Sequence, residues 1–280
     1  MNCKLIAFDL DSTLLDDYKK ISQENIIALE KAASNNILTV PASGRLFPYI
    51  PSELKDKPYS HYFILNNGGY IYDSVNDINL YNAELPLNTA LELYSYLDTI
   101  DVIYDCYADN TGYASSSALA KADDYFTDPI LNAMLHSYIL KSRGEVNDLK
   151  NFIAVRNKPL QKISIFFRDE SLRQNQLKLL PQMFPELIFT SSLGNNIEVN
   201  TKEATKGKAL KYLCDYLNIS AEDTVAFGDD LNDLDMITAA GLSVAMSNGK
   251  DLLKNKADII SYADNNHSGV AETLKRLEII

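Results

Sequence analysis

Short apolar runs recur along the chain, and each breaks off into small, amide or acidic residues. Leu5-Ile6-Ala7-Phe8 stops at Asp9, and Ile37-Leu38-Thr39-Val40 stops at "PASGR". Tyr62-Phe63-Ile64-Leu65 meets "NNGG", Thr224-Val225-Ala226-Phe227 meets "GDDLND", and Leu242-Ser243-Val244-Ala245-Met246 meets "SNG". Runs that do not alternate apolar with polar residues predict strands covered on both faces. Between the first two runs, Ile26, Ile27, Leu29 and Ala33 fall roughly at helical spacing, and Ser22 is placed to cap the helix they predict. A second helix is predicted after Lys206, with Leu210, Leu213, Cys214 and Leu217 on one face. Strands that alternate with helices imply an α/β, Rossmann-like fold with a mostly parallel sheet. In such sheets ligands bind at the carboxyl ends of the strands, which is where the polar clusters fall.

The pattern changes over residues 83–192. Prolines 86, 129, 159, 181 and 185 interrupt it, Ala90–Leu97 is helix-like, and Asp101–Tyr107 and Ile163–Phe167 are strand-like. We read this stretch as an inserted α+β domain, leaving residues 1–82 and 193–280 as a discontinuous core domain. The tyrosines of the insert (Tyr104, Tyr107, Tyr113 and Tyr125) are read as packing residues.

Composition narrows the field. The chain has 280 residues, 46% of them apolar, which suffices for two cores. A formal net charge of -12 argues against nucleic acid or an anionic membrane surface as partner. An anionic substrate would need positive charge supplied locally. No apolar run reaches membrane-spanning length. Cys3, Cys106 and Cys214 form no metal-binding or disulfide pattern, and His61, His136 and His267 are equally scattered. With no basic-then-apolar leader, these features give the expectation of a cytoplasmic protein. They leave its oligomeric state open.

Carboxylates gathered at the ends of apolar strands repel one another unless a cation or a reaction needs them. Two residues apart, Asp9 and Asp11 would line one face of a continuing strand, and a bend after Leu10 would separate them. With a bend, the Asp9 side chain, the Asp11 carbonyl and the Asp11 side chain could serve one pocket in separate roles. A hard cation such as Mg²⁺ takes such oxygen ligands, and Asp229, Asp230 and Asp233 after another strand can complete the set. Ser43 and Gly44 offer a hydroxyl and backbone N–H groups to an anion. Lys206 and Asn232, each at a predicted helix start, can reach the same oxygens. Arg45 is read as structural, pairing with a carboxylate or a carbonyl.

"DLDSTLLD", "ASGR", "TKGKAL" and "GDDLNDLDM", in that order, resemble the haloacid dehalogenase (HAD) superfamily of phosphatases. The position of the insert, "LNNGG" at 65–69 and "HSGVAETL" at 267–274 resemble its Cof-type (type IIB) branch. The resemblance runs from end to end of the chain. It implies a Mg²⁺-dependent phosphatase acting on a small phosphate monoester, with the insert as a cap that closes over the site. Asp9 then matches the nucleophile that forms an aspartyl-phosphate, and Asp11 the general acid/base. Asp9, the Asp11 carbonyl and Asp229 match the metal ligands, with Asp233 supporting them. The Leu10 backbone, Ser43, Gly44, Lys206 and Asn232 match the phosphate-binding positions. Ser12 stands where the family usually has glycine, and Ser43 where threonine is commoner. Asp11 must be protonated for the first step, and crowding by other acids is expected to raise its pKa. A phosphosugar mutase of the same fold, a non-enzymatic phospho-acceptor and an inactive binding protein are the alternatives. The particular phosphate ester is not encoded in any motif.

Overall fold

The computed structural model describes residues 2–55, 57–127, 143–191 and 194–280. Pro129 and His136 lie outside them. The chain divides into two units, Met1–Asn82 with Glu203–Ile280, and Ala83–Lys202. In chain order the strands of the first segment are β1 (Leu5–Phe8), β2 (Leu38–Pro41), β3 (Tyr62–Leu65), β4 (Tyr70–Asp73) and β5 (Ile78–Asn82). The second unit contributes β6 (Ile103–Ala108), β7 (Thr111–Ser115), β8 (Arg143–Val146), β9 (Lys162–Phe166), β10 (Leu187–Thr190) and β11 (Asn196–Thr201). The chain then supplies β12 (Thr224–Gly228), β13 (Leu242–Ala245) and β14 (Ile259–Ile260).

Five of these strands form a wholly parallel sheet in the order β14-β13-β12-β1-β2. β1 lies between β2 and β12, and all four of its side chains are fully buried, as its unbroken apolar run predicts. Phe8 stands opposite Phe227 on one side and Pro41 on the other. The chain therefore leaves all three central strands at one level, delivering Asp9, Asp229 and Ser43 to the same edge. The run Tyr62–Leu65 is not part of this sheet. It is β3 of an antiparallel sheet β3-β4-β5. A parallel bridge between Ala42 and Ile64 still ties it to the end of β2, so "NNGG" reaches the common edge.

The helix Gln23–Ser34 is capped by Ser22, whose hydroxyl accepts from the Asn25 N–H at 3.2 Å. Its buried face differs from the expected one. Asn25, Ala28, Leu29 and Ala32 are covered, while Ile27 is 49% exposed. The buried carboxamide of Asn25 sets this rotation, donating to the Leu14 carbonyl at 3.1 Å and accepting from the Ala271 N–H at 3.0 Å.

The second unit carries a six-stranded sheet in the order β10-β11-β9-β6-β7-β8, antiparallel except for β7 with β8. Its core includes Leu93, Tyr94, Ile153, Ile163 and Val199. The boundary expected at 192/193 lies ten residues later in the structure, because β11 pairs with both β9 and β10 and holds the chain in this unit until Lys202. Tyr104 packs on Tyr94 with ring centroids 4.7 Å apart, and Tyr113 on Phe152 at 4.6 Å. Tyr107 lies under Arg143 and Lys162, and the Tyr125 hydroxyl donates to Asp101. Among the described residues, no helix is long and apolar enough to cross a membrane.

Candidate active site

Asp9 continues the register of β1, its N–H donating to the Phe227 carbonyl at 3.0 Å. The chain then turns: the N–H groups of Thr13 and Leu15 both donate to the Leu10 carbonyl, and Ser12 takes a left-handed φ of 61°. This is the conformation that a glycine would adopt without steric cost. The turn sends the two aspartates to different surroundings. The Asp9 side chain is buried among Lys206, Asp229 and Asp233. The Asp11 side chain, 41% exposed, faces cations instead. Arg45 grips it with Nε and Nη2 at 3.0 and 2.7 Å, and Lys19 Nζ lies 2.8 Å away.

Oxygens of Asp9, Asp229 and Asp233 lie within 4.8 Å of one another. Lys206 opens the helix Lys206–Leu217 and is fully buried, its ammonium 2.5 Å from both Asp9 Oδ1 and Asp233 Oδ1. The other oxygen of Asp233 accepts the N–H groups of Asp229 and Asp230 at 3.0 and 3.2 Å. Thr13 Oγ1 donates to Asp229 Oδ1 at 3.0 Å, which links the turn after β1 to the loop after β12.

The electrostatics follow from this packing. Burial raises the Asp9 pKa well above the usual carboxylate value, against the pull of Lys206 and with help from Asp233 and Asp229. Burial, followed by the Asp233 charge, pushes Asp229 up to about 7. Burial alone would lower the pKa of Lys206, but Asp233 and Asp9 hold it well above its ordinary value. Asp11 corrects the expectation of a raised pKa. Burial acts upward, yet hydrogen bonds and charge from Arg45 and Lys19 outweigh it and hold the carboxyl below its ordinary value. The groups facing Asp11 are cations, not the acids that its place in the sequence suggested.

Comparison with known proteins decides the family. Residues 6–274 match the family described as haloacid dehalogenase-like hydrolases. The chain belongs to that family. It is 31% identical to Phosphatase YwpJ of Bacillus subtilis over 290 residues, covering 98% of this chain and 99% of the relative. It is 32% identical over 276 residues to 5-amino-6-(5-phospho-D-ribitylamino)uracil phosphatase YcsE of the same organism, covering 98% of this chain and 96% of that protein. A solved haloacid dehalogenase-like hydrolase from Bacteroides thetaiotaomicron superposes with a TM-score of 0.82 at 27% identity, covering 98% of this chain and 99% of the other. Within that family the protein is a phosphatase.

The HAD residues named from the sequence divide in their placement. Asp9, Asp229, Asp233 and Lys206 converge in one cluster. Ser43 is buried beyond the end of β2, its hydroxyl accepting the Arg45 N–H at 3.2 Å. Gly44 follows it, and a Cβ there would stand 2.9 Å from Asn67 Oδ1. Asn232 lies in the 3-10 turn Leu231–Asp233 and donates to that same oxygen at 3.2 Å. Leu10 is fully buried, with its carbonyl committed to the turn. The cluster suits a divalent cation. With all groups ionised, three carboxylates against one ammonium leave two negative charges, held by hard oxygen donors. The sequence reading missed Thr13, Lys19 and Asn67. Thr13 lies inside a motif already noted, and "NNGG" marks a turn. Nothing local to Lys19 signals that it meets Asp11.

Proposed function

We propose that this HAD phosphatase is Mg²⁺-dependent and hydrolyses a small phosphate monoester, a sugar phosphate or similar metabolite, through an aspartyl-phosphate. The observation that carries the reading is the buried Lys206 bound between Asp9 and Asp233, beside Asp229 at the end of the neighbouring strand. Asp9, Asp229 and the backbone carbonyl of Asp11 would hold the cation, with Asp233 as support. When bound, the cation would supply charge to the transferring oxygens and keep Asp9 ionised.

The chain's own groups then have distinct tasks. An Asp9 carboxylate oxygen attacks phosphorus, a P–O bond forms, and the bond to the leaving alcohol breaks. Asp11 gives that alcohol its proton, then takes one from the water that attacks phosphorus, releasing inorganic phosphate and free Asp9. Lys206, Asn232, the Ser43 hydroxyl and the N–H groups of Leu10 and Gly44 would position the phosphoryl oxygens. Since Arg45 and Lys19 hold Asp11 as a carboxylate, its donor step requires their grip to loosen. The name of YcsE supports a phosphorylated metabolite of modest size as the substrate class. The free state of Cys3, Cys106 and Cys214 supports a cytoplasmic location.

The test is release of inorganic phosphate from p-nitrophenyl phosphate, with Mg²⁺ and with chelator, by wild type and Asp9→Asn. Turnover that needs Mg²⁺ and disappears in the variant is expected. Undiminished turnover by Asp9→Asn would reject Asp9 as nucleophile, and undiminished turnover in chelator would reject the metal.

A further inference from the structure

The turn "NNGG" has no task in the mechanism above, yet its backbone is tightly constrained beside the site. Asn66, Asn67 and Gly68 take φ values of 54°, 57° and 89°, three left-handed residues in succession. Such a run persists only where its surroundings over-determine it. The Asn66 N–H donates to the Arg45 carbonyl and the Asn67 N–H to the Ser43 carbonyl, each at 3.0 Å. On the other side, Gly68 lies so close to the Thr205 carbonyl that a Cβ would collide with it. The turn is thus wedged between the Ser43-Gly44 loop and the start of the Lys206 helix.

We infer that Asn67 is a positioning residue for the phosphoryl group, through its backbone N–H on Ser43 and its carboxamide oxygen on Asn232. The inference rests on the phosphatase reading, because Ser43, Gly44 and Asn232 are that reading's phosphate contacts. Asn67 Oδ1 accepts from Asn232 Nδ2 at 3.2 Å, and it fills the space that a side chain at position 44 would occupy. An acceptor there obliges Asn232 to present its NH₂ end, and that group carries a second N–H to give. The Asn232 side chain sits at an exposed position, and this bond limits its rotation. Asn67 therefore couples contacts that the chain supplies from distant segments, and phosphate meets a donor already oriented.

Asn67→Gly deletes the carboxamide while easing the left-handed backbone, so stability and phosphate binding should separate. The experiment measures inorganic phosphate binding by calorimetry in Mg²⁺ and the urea midpoint of unfolding. It compares wild type, Asn67→Gly, Asn232→Ala and the double variant. Asn67→Gly is expected to unfold at the same or higher urea, yet bind phosphate about ten-fold more weakly. Asn232→Ala should lose a similar factor, and the double variant no more than either alone. On p-nitrophenyl phosphate, Asn67→Gly should raise KM more than it lowers kcat. Phosphate affinity within two-fold of wild type in Asn67→Gly, or a roughly hundred-fold additive loss in the double variant, would overturn the role of Asn67 alone. Wild type that neither binds phosphate nor hydrolyses the ester would instead overturn the phosphatase reading, and this inference with it.

Discussion

Replacing Lys206 by methionine would keep most of its aliphatic stem and remove the ammonium that lies 2.5 Å from both Asp9 and Asp233. The Lys206 side chain is fully buried, so water does not take the place of the lost ammonium. Removing one member of a buried ion pair costs about 3–5 kcal/mol, because the partner is left charged and unpaired. Here two partners are left, with Asp229 beside them. The penalty should approach that range at pH 7.5 in the absence of divalent metal. Proton uptake caps it, since a buried carboxylate that has lost its counter-ion is cheaper to protonate than to keep ionised. Asp9 and Asp229 have raised pKa values even with Lys206 present. Their ionisation therefore opposes folding as pH rises, and more so in the variant. The gap between wild type and Lys206→Met should widen from pH 5 to pH 7.5 and narrow when Mg²⁺ is added. Urea unfolding followed by far-UV circular dichroism measures it, and Lys206→Met/Asp233→Asn should recover part of the loss. A penalty below about 1 kcal/mol at pH 7.5, or one that does not change with pH, would refute the claim that the ammonium neutralises buried carboxylates.

Three further outcomes follow from the same geometry. Mg²⁺ should raise the melting temperature at pH 8 and do so progressively less below about 7, because protons compete for Asp229; a shift independent of pH would remove Asp229 from the metal site. Arg45→Met should raise the pKa of Asp11, and since the proposed first step needs that group protonated, the alkaline limb of the pH–rate profile should move to higher pH. An unmoved limb would separate Asp11 from the protonation step. Ser12→Gly should stabilise the protein by roughly 0.5–1 kcal/mol, as relief of the left-handed φ outweighs the added chain entropy, and thermal unfolding checks the sign.

What the sequence disclosed depended on how local its physical cause was. The unbroken apolar runs at Leu5–Phe8 and Thr224–Phe227 place their strands inside a covered parallel sheet, and acids at the ends of two such strands must be near one another if the strands are neighbours. A cap such as Ser22 is legible because the hydroxyl serves an N–H three residues on. The face of the helix that follows was not legible, since Asn25 is drawn inward by Leu14 and Ala271, and the latter lies near the far end of the chain. The run at Tyr62–Leu65 looked like its neighbours, yet it pairs with a hairpin partner that the apolar pattern could not distinguish from a crossover.

Asp11 shows the same division at atomic scale. Its neighbours in sequence are acids, which argued for a raised pKa, but the bend at Ser12 turns it away from them. Arg45 arrives from the end of β2 and Lys19 from the loop that follows the motif, and together they reverse the sign of the shift. Asp9, by contrast, remains in line with β1 and enters the acidic cluster that the motif foretold. Two aspartates separated by one residue thus acquire opposite electrostatic settings from a single turn. The attacking group and proton carrier of the proposed mechanism would need such a difference, because carboxyls sharing one environment would titrate together.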